Sequence, residues 1–418
     1  MVNVWLVSSI ILLIFTPLPL SYLYRKGFIV VTIMSSAYYF FGVYTFISLL
    51  IFDFGEIIPF NLFSSLNYYE ISNVVFRLFV VSGLLCLGGL AAKLFGVDRF
   101  HKNNFSKSGE GRSRLLFLLL SIDMKYLSIL AILCPLILFL ALGPAQFSYR
   151  EGYHLNISIP LLMKVFMLSL PISCFSAGLV KRRWLRYLLT SIIFLSLLSI
   201  SSRTLLILPV AYICARYLRN NKIRFYQIVI VSFWFFLSTA IAIEFRNHSL
   251  QGLFPNLVHL FTEGVELDSV FFGLNYIFSY GAGVLGVMLN QVNYDPDLFY
   301  LAINPLPSSL IDISRVIHES KINPSAPFSA IGEIYSMGWF LSILILILIG
   351  LTISILEFIT KRHKKLYVTV VLLVTLGTLL SYQYNLRGFS RLLYYTAMLG
   401  LYSVCIKFLI FATNKNKV

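Results

Sequence analysis

The sequence predicts an all-α, polytopic integral membrane protein of about 11 transmembrane helices with one large extracytoplasmic loop, and three observations predict it. Of the 418 residues, 58% are hydrophobic and only 12% are charged, a balance that fits a bilayer and not water. Apolar runs of about 17 to 25 residues recur along almost the whole chain, continuous rather than alternating, and only helices or closed barrels satisfy backbone hydrogen bonds in lipid. The net charge of +16 is ordered by position. Lys and Arg gather at Arg25-Lys26, from Lys93 to Arg114, from Lys181 to Arg186, from Arg216 to Arg224, from Lys361 to Lys365 and near the C-terminus. These clusters fall in alternate loops, as the positive-inside rule requires, so the basic surplus orients the chain and does not point to nucleic acid.

With the clusters as cytoplasmic markers, helices are placed at roughly 4–23, 28–52, 74–96, 117–142, 159–180, 185–201, 204–218, 225–243, 333–358, 366–382 and 391–411. The N-terminus then lies outside and the C-terminus inside. Pro17 and Pro19 make the first helix the one most exposed to a break, and its apolar run shows no small-residue cleavage site of a secretory signal. Cys86, Cys134, Cys174, Cys214 and Cys405 all fall in apolar runs and read as small core residues, with no disulfide and no metal site built on them. The whole chain, 1–418, reads as a single membrane domain, and residues 244–332 form the large outer loop between the eighth and ninth helices. That loop carries six prolines among apolar stretches, too hydrophobic for a disordered linker, so a folded cap with short helices is expected. Within it, Ser269 to Leu289 is long enough for a re-entrant hairpin or an extra span, although the basic run at Lys361 to Lys365 argues against a single extra crossing. No internal repeat of the kind common in secondary transporters is present.

Removing the cytoplasmic clusters leaves few basic residues on the outer side: Arg77, Arg150, Lys164, Arg203, Arg246, Arg315, Lys321, Arg387 and Arg391. Topology does not explain charge there. Each can snorkel to lipid phosphates singly, but as a group at helix ends they point to an anionic ligand in a cavity. Arginine suits phosphate because its fixed fork bonds bidentately and keeps its charge when desolvated. The pair in Asp295-Pro296-Asp297 has the outline of a metal-binding Asp-x-Asp, yet its proline and outer location favour a loop turn. Glu263, Glu266 and Asp268 read as a solvated helix face. For proton transfer the outer histidines are His154, His248, His259 and His318, of which His248, two residues after Arg246, and His318, beside Glu319, are the candidates, with Glu151 and Glu333 as alternatives. Outer tyrosines, Tyr280 among them, offer stacking faces for sugars as well as an interfacial aromatic belt.

Several short segments carry a resemblance. They are Ser148-Tyr-Arg-Glu-Gly-Tyr, Ser201-Ser-Arg-Thr, Glu244-Phe-Arg, Asn304-Pro-Leu-Pro-Ser, and Ala330-Ile-Gly-Glu-Ile-Tyr-Ser-Met-Gly-Trp. In their order and topology they resemble the bacterial O-antigen polymerase family (Wzy type, the oligosaccharide repeat unit polymerases). Met337 stands where an asparagine-phenylalanine type sequence is common there. The resemblance implies a GT-C-like membrane fold in the bacterial inner membrane with its active site facing outward. It also implies a metal-independent, inverting transfer of a glycan from polyprenyl pyrophosphate onto another lipid-linked repeat unit. Arg203, Arg246 and Arg387 would then hold the pyrophosphate, with Arg150, Arg315 and Arg391 as second choices and His248 or His318 as base; Tyr280 and Glu333 would contact substrate. No cofactor is expected. The partners would be lipid-linked oligosaccharides, membrane lipids and a polysaccharide chain-length regulator. An O-antigen ligase shares the topology and the arginines. A lipid-linked oligosaccharide flippase would predict short outer loops and pseudo-symmetric halves, and a non-catalytic assembly scaffold would tolerate loss of any single outer arginine.

Overall fold

A computed structural model describes residues 3–51, 65–97, 124–152, 154–220, 248–264, 278–292, 294–306, 310–323, 326–361 and 364–415, with isolated positions between 234 and 276. In chain order the helices are α1 (Val4–Phe15), α2 (Pro17–Arg25), α3 (Ile29–Ile51), α4 (Tyr68–Leu94), α5 (Met124–Ser148), α6 (Pro160–Leu179), α7 (Arg183–Ser199), α8 (Ile207–Asn220) and α9 (Leu253–Thr262). They continue as α10 (Tyr280–Gln291), α11 (Pro296–Ile303), α12 (Ser314–Glu319), α13 (Ala330–Ser336), α14 (Trp339–Thr360), α15 (Lys364–Gln383) and α16 (Leu386–Lys415). Two small antiparallel pairs complete the described structure: β1 (Arg150–Glu151) with β2 (Leu250–Gln251), and β3 (Lys321–Asn323) with β4 (Ala326–Pro327).

Among the described residues seven helices are long and apolar enough to cross a membrane: Val4–Arg25, Ile29–Ser48, Tyr68–Leu94, Lys125–Ser148, Pro160–Leu179, Trp339–Thr360 and Leu366–Gln383. Pro17 does not interrupt the first, because Thr16 keeps helical dihedrals (φ −61°, ψ −34°) and Pro17 stands at the first position of α2, where its missing N–H costs little. The expected spans at 185–201 and 204–218 are shorter elements, α7 of 17 residues and α8 of 14. At ~1.5 Å per residue α7 covers about 25 Å, close to the thickness of a hydrocarbon core, and α8 ends where the described residues end. The expected span at 225–243 lies almost wholly outside the described residues, as do residues 117–123 of the expected fourth helix.

Three boundaries differ from the sequence expectation for identifiable reasons. Helix α4 starts at Tyr68 and not at 74, because Asn67 and Glu70 form a reciprocal capping box. The expected helix 333–358 is divided: α13 stops at Ser336, Gly338 takes a left-handed φ of 93°, and α14 begins at Trp339. Helix α16 begins at Leu386, so residues expected in an outer loop at 383–390 already belong to its first turn. In the opposite sense the end expected at 142 is met by a break, since Gly143 (φ 79°, ψ 160°) and Pro144 interrupt α5 there.

The chain divides into two compact units, Met1–Gly111 with Phe278–Val418, and Arg112–Ile277. The first is organised around α4, which packs on α14, α3, α1 and α10. The α4–α14 crossing is close because Gly88 and Gly350 face it. A Cβ at Gly88 would lie 2.3 Å from the Ile347 carbonyl oxygen, and one at Gly350 would lie 2.4 Å from that of Leu85. Gly350→Val is therefore expected to force the helices apart and to lower the unfolding free energy in detergent by about 3 kcal/mol, whereas Gly83→Val, where no neighbour lies within 4 Å, serves as the neutral comparison in a denaturant titration. The second unit is built on an apolar cluster from α5, α6, α7 and α8 that includes Phe166, Leu170, Leu189 and Leu208. Cys86, Cys134 and Cys174 are buried, Cys214 is half-buried and Cys405 is exposed.

Candidate functional site

The segment expected to cap the outer side supplies a cavity in the first unit. Helix α11 starts where Asp295 accepts a hydrogen bond from the Asp297 N–H and Pro296 occupies the first helical position, so Asp295-Pro296-Asp297 is a helix start and not a metal pair. Together with the end of α10, α12 and β3, this helix borders an open cavity of about 400 Å³. Val287, Leu298, Ile322 and Phe328 form its apolar wall; Tyr294, Asp295, Glu319 and Lys321 form its polar one. Arg315 ties the polar side together, with Nη2 2.7 Å from Asp295 and 3.0 Å from Glu319. The Asp297 N–H first, and Arg315 after it, hold the Asp295 carboxyl below the usual carboxylate range. Arg315 is thus neutralised by two carboxylates, and Lys321 is the cation on this wall with no carboxylate partner among the described residues.

Glu333 adjoins Tyr294. Ser329 caps α13 by accepting from the Gly332 N–H, which fixes Glu333 in the first turn of a wholly buried helix. Its Oε2 accepts the Leu386 N–H at the start of α16, and the buried Ser320 hydroxyl also interacts with the carboxylate. Burial pushes the Glu333 carboxyl up to about 8, with the Leu386 N–H pulling the other way. Burial, and then the nearby charge of Glu333, raise the phenol of Tyr294. Buried polar atoms are nearly always paired, and among the described residues the Tyr294 hydroxyl at the cavity is not.

The other expected residues fall as follows. Arg387, in the first turn of α16, is buried, and its guanidinium donates to the carbonyls of Leu301 (2.6 Å) and Leu306 (3.3 Å). Its charge meets the carbonyl end of α11, so it anchors the cavity-forming helix and is not directed at a phosphate. Arg391 lies one turn further along α16, half-buried. Tyr280 opens α10 with 2% exposure inside the core and offers no stacking face. His318 is exposed on the six-residue α12. Arg77, within α4, lies over the rings of Tyr335 and Trp339 at 4.7 and 5.1 Å, a cation–π stack near α13.

The second unit holds the remaining candidates. Arg150, 3% exposed in β1, donates to the Ser199 carbonyl at the end of α7 and to the Gln251 side chain in β2. Ser201 takes a left-handed φ of 46°, and Ser202 caps a 3₁₀ turn, Arg203–Leu206, that Arg203 opens. Asn256 braces this turn by donating to the Leu198 carbonyl and to the Ser201 hydroxyl. Arg246, with Glu266 and Asp268, lies outside the described residues. His248 stands against His259, ring centroids 4.0 Å apart, and the His259 Nε2 is 3.2 Å from Glu244. That grouping escaped the sequence because its members are up to fifteen residues apart across a chain reversal. The arginines expected to converge are therefore shared between the two units, Arg150 and Arg203 in one and Arg315, Arg387 and Arg391 in the other.

No protein-family model matches the chain, and neither curated proteins nor solved structures contain a significant match to it.

Proposed function

We propose that this chain is a membrane glycosyltransferase that polymerises polyprenyl-pyrophosphate-linked oligosaccharide repeat units into a surface polysaccharide, on the outer face of the bacterial inner membrane. The observation that carries this reading is the 400 Å³ cavity of mixed apolar and polar lining, set in a segment between membrane-length helices and adjoined by a buried acid whose carboxyl is raised to about 8. Such a volume suits one or two sugar rings, with Tyr294, half-buried and backed by Phe328, as the stacking surface. Glu333 is the base, reached from the cavity through Tyr294, whose hydroxyl passes its proton to the carboxylate as it accepts that of the acceptor hydroxyl. Lys321 faces the departing pyrophosphate. The attacking hydroxyl oxygen bonds to the anomeric carbon from the face opposite the pyrophosphate, which leaves with the bonding electrons, so the configuration at that carbon is inverted, and a cationic side chain in place of a metal ion meets the leaving charge. Both substrates are lipid-anchored, so binding them near each other turns a rare encounter into a positioned reaction. A GT-C-like arrangement of about eleven spans accommodates this chemistry.

Deletion of the gene in its host, complemented at matched expression by wild type or by Lys321→Ala, tests the reading through the surface glycan resolved on a gel. A ladder that collapses to a single capped repeat unit, restored by wild type and not by the variant, is the expected result. Complete loss of surface glycan would overturn polymerisation in favour of ligation or flipping, and the side on which lipid-linked units accumulate separates those two.

A further inference from the structure

Glu244, His248 and His259 each offer one donor atom, and the three atoms lie within 4.8 Å of one another. All three belong to the second unit, whereas the residues that line the cavity belong to the first. From this geometry we infer that they bind a divalent transition-metal ion of the zinc class, a site the glycosyl transfer does not use. Two imidazoles and one carboxylate form a donor set suited to such an ion, with a fourth position left for water. Bonds of ~2.0–2.2 Å at tetrahedral angles put neighbouring donor atoms ~3.3 Å apart, and the His259 Nε2 to Glu244 Oε1 distance is already 3.2 Å. Glu244 is 5% exposed, and its Oε2 is buried without a hydrogen-bond partner. A carboxylate so placed needs compensation, which a cation supplies.

The surroundings of the three donors agree. The His259 Nδ1 is 2.9 Å from the Glu263 carboxylate one turn along α9. Carboxylate support of the far nitrogen is the usual way a metal-binding histidine is oriented. The His248 ring packs 4.0 Å from that of His259, so the two imidazoles lie on one side of Glu244 within reach of a shared ion. Phe245, fully buried, meets the His259 ring edge-to-face at 5.5 Å and keeps the site dry on that side.

The full chain, purified without a histidine tag and stripped with a chelator, would be titrated with Zn²⁺, and with Co²⁺ for its visible spectrum. One equivalent of Zn²⁺ is expected to bind and to raise the thermal unfolding midpoint. His248→Ala and His259→Ala should each lose at least 100-fold in affinity, while His154→Ala, an exposed histidine outside the cluster, binds as wild type. Should the cluster variants fail to fold, Glu263→Gln provides the test: it leaves the three donors in place and is expected to weaken Zn²⁺ by ~10- to 100-fold. Substoichiometric binding by the wild type, a Co²⁺ spectrum lacking tetrahedral character, or an affinity unchanged by both Glu263→Gln and any folded histidine variant would overturn the assignment.

Discussion

Glu333→Gln is expected to abolish polymer growth while leaving the protein folded. The substitution keeps the shape of the side chain and an acceptor for the Leu386 N–H, but removes the group that takes the acceptor proton, a contribution of ~10²- to 10⁴-fold in rate. Because the carboxyl titrates at about 8 and acts as its anion, wild-type activity should rise with pH through that value, and the variant should lack that limb. Stability runs the other way. The folded state binds this proton more tightly than an unfolded glutamate at 4.5, so Glu333 contributes stability that is full below 4.5 and is lost as pH rises through about 8. A permanently neutral glutamine escapes that loss, so the variant should be at least as stable as wild type at pH 9. A purely structural role for Glu333 would instead leave a residual rate with the wild-type pH profile.

The largest loss of stability is expected from Glu357→Ala. Glu357, fully buried near the end of α14, accepts the N–H groups of Ile29 (2.8 Å) and Val30 (2.9 Å), the first residues of α3. Lys361 lies 3.1 Å from its Oε1 and also donates to the Gly27 carbonyl. One carboxylate thus caps the N-terminus of a neighbouring helix and is charge-compensated one turn along its own. Alanine strands two buried donors and leaves the Lys361 ammonium, itself largely sheltered, without its counter-charge. The expected cost is ~3–5 kcal/mol, read as a lowered midpoint in a denaturant titration of the detergent-solubilised protein. Glu357→Gln, which still accepts one N–H, should fall between the two. A cost below ~1 kcal/mol for alanine, the range of an exposed pair, would mean that the carboxylate is not the cap.

Much of the helical frame could be read in the chain because hydrophobic length and basic clusters depend on composition over some twenty residues. Pro160 and Gln383 close to the expected ends of α6 and α15 illustrate this. The early start of α4 was also legible in principle, since Asn67 followed by Glu70 is the capping-box spacing. The site was less so. Arg315 with Glu319 is a readable i,i+4 pair, but its second partner, Asp295, is twenty residues away. Arg387 looked like a ligand for phosphate because it ends a loop in sequence; its carbonyl partners, more than eighty residues earlier, become visible only when α11 and α16 pack. Glu333 could be seen at the mouth of a helix but not as a buried acid, because burial there depends on α13, α16 and Tyr294 together. His259 was counted among the outer histidines without its partners Glu244 and His248, which a chain reversal supplies.

The central claim is glycan polymerisation, and reconstitution tests it most directly. The purified protein in lipid vesicles would be given a polyprenyl-pyrophosphate-linked oligosaccharide repeat unit, and the products followed by mass. Growth in steps of whole repeat units, with one polyprenyl pyrophosphate released per linkage and none formed by Glu333→Gln, is the predicted result. Movement of the lipid-linked unit across the bilayer with no new glycosidic bond, or transfer only to a different acceptor, would contradict it.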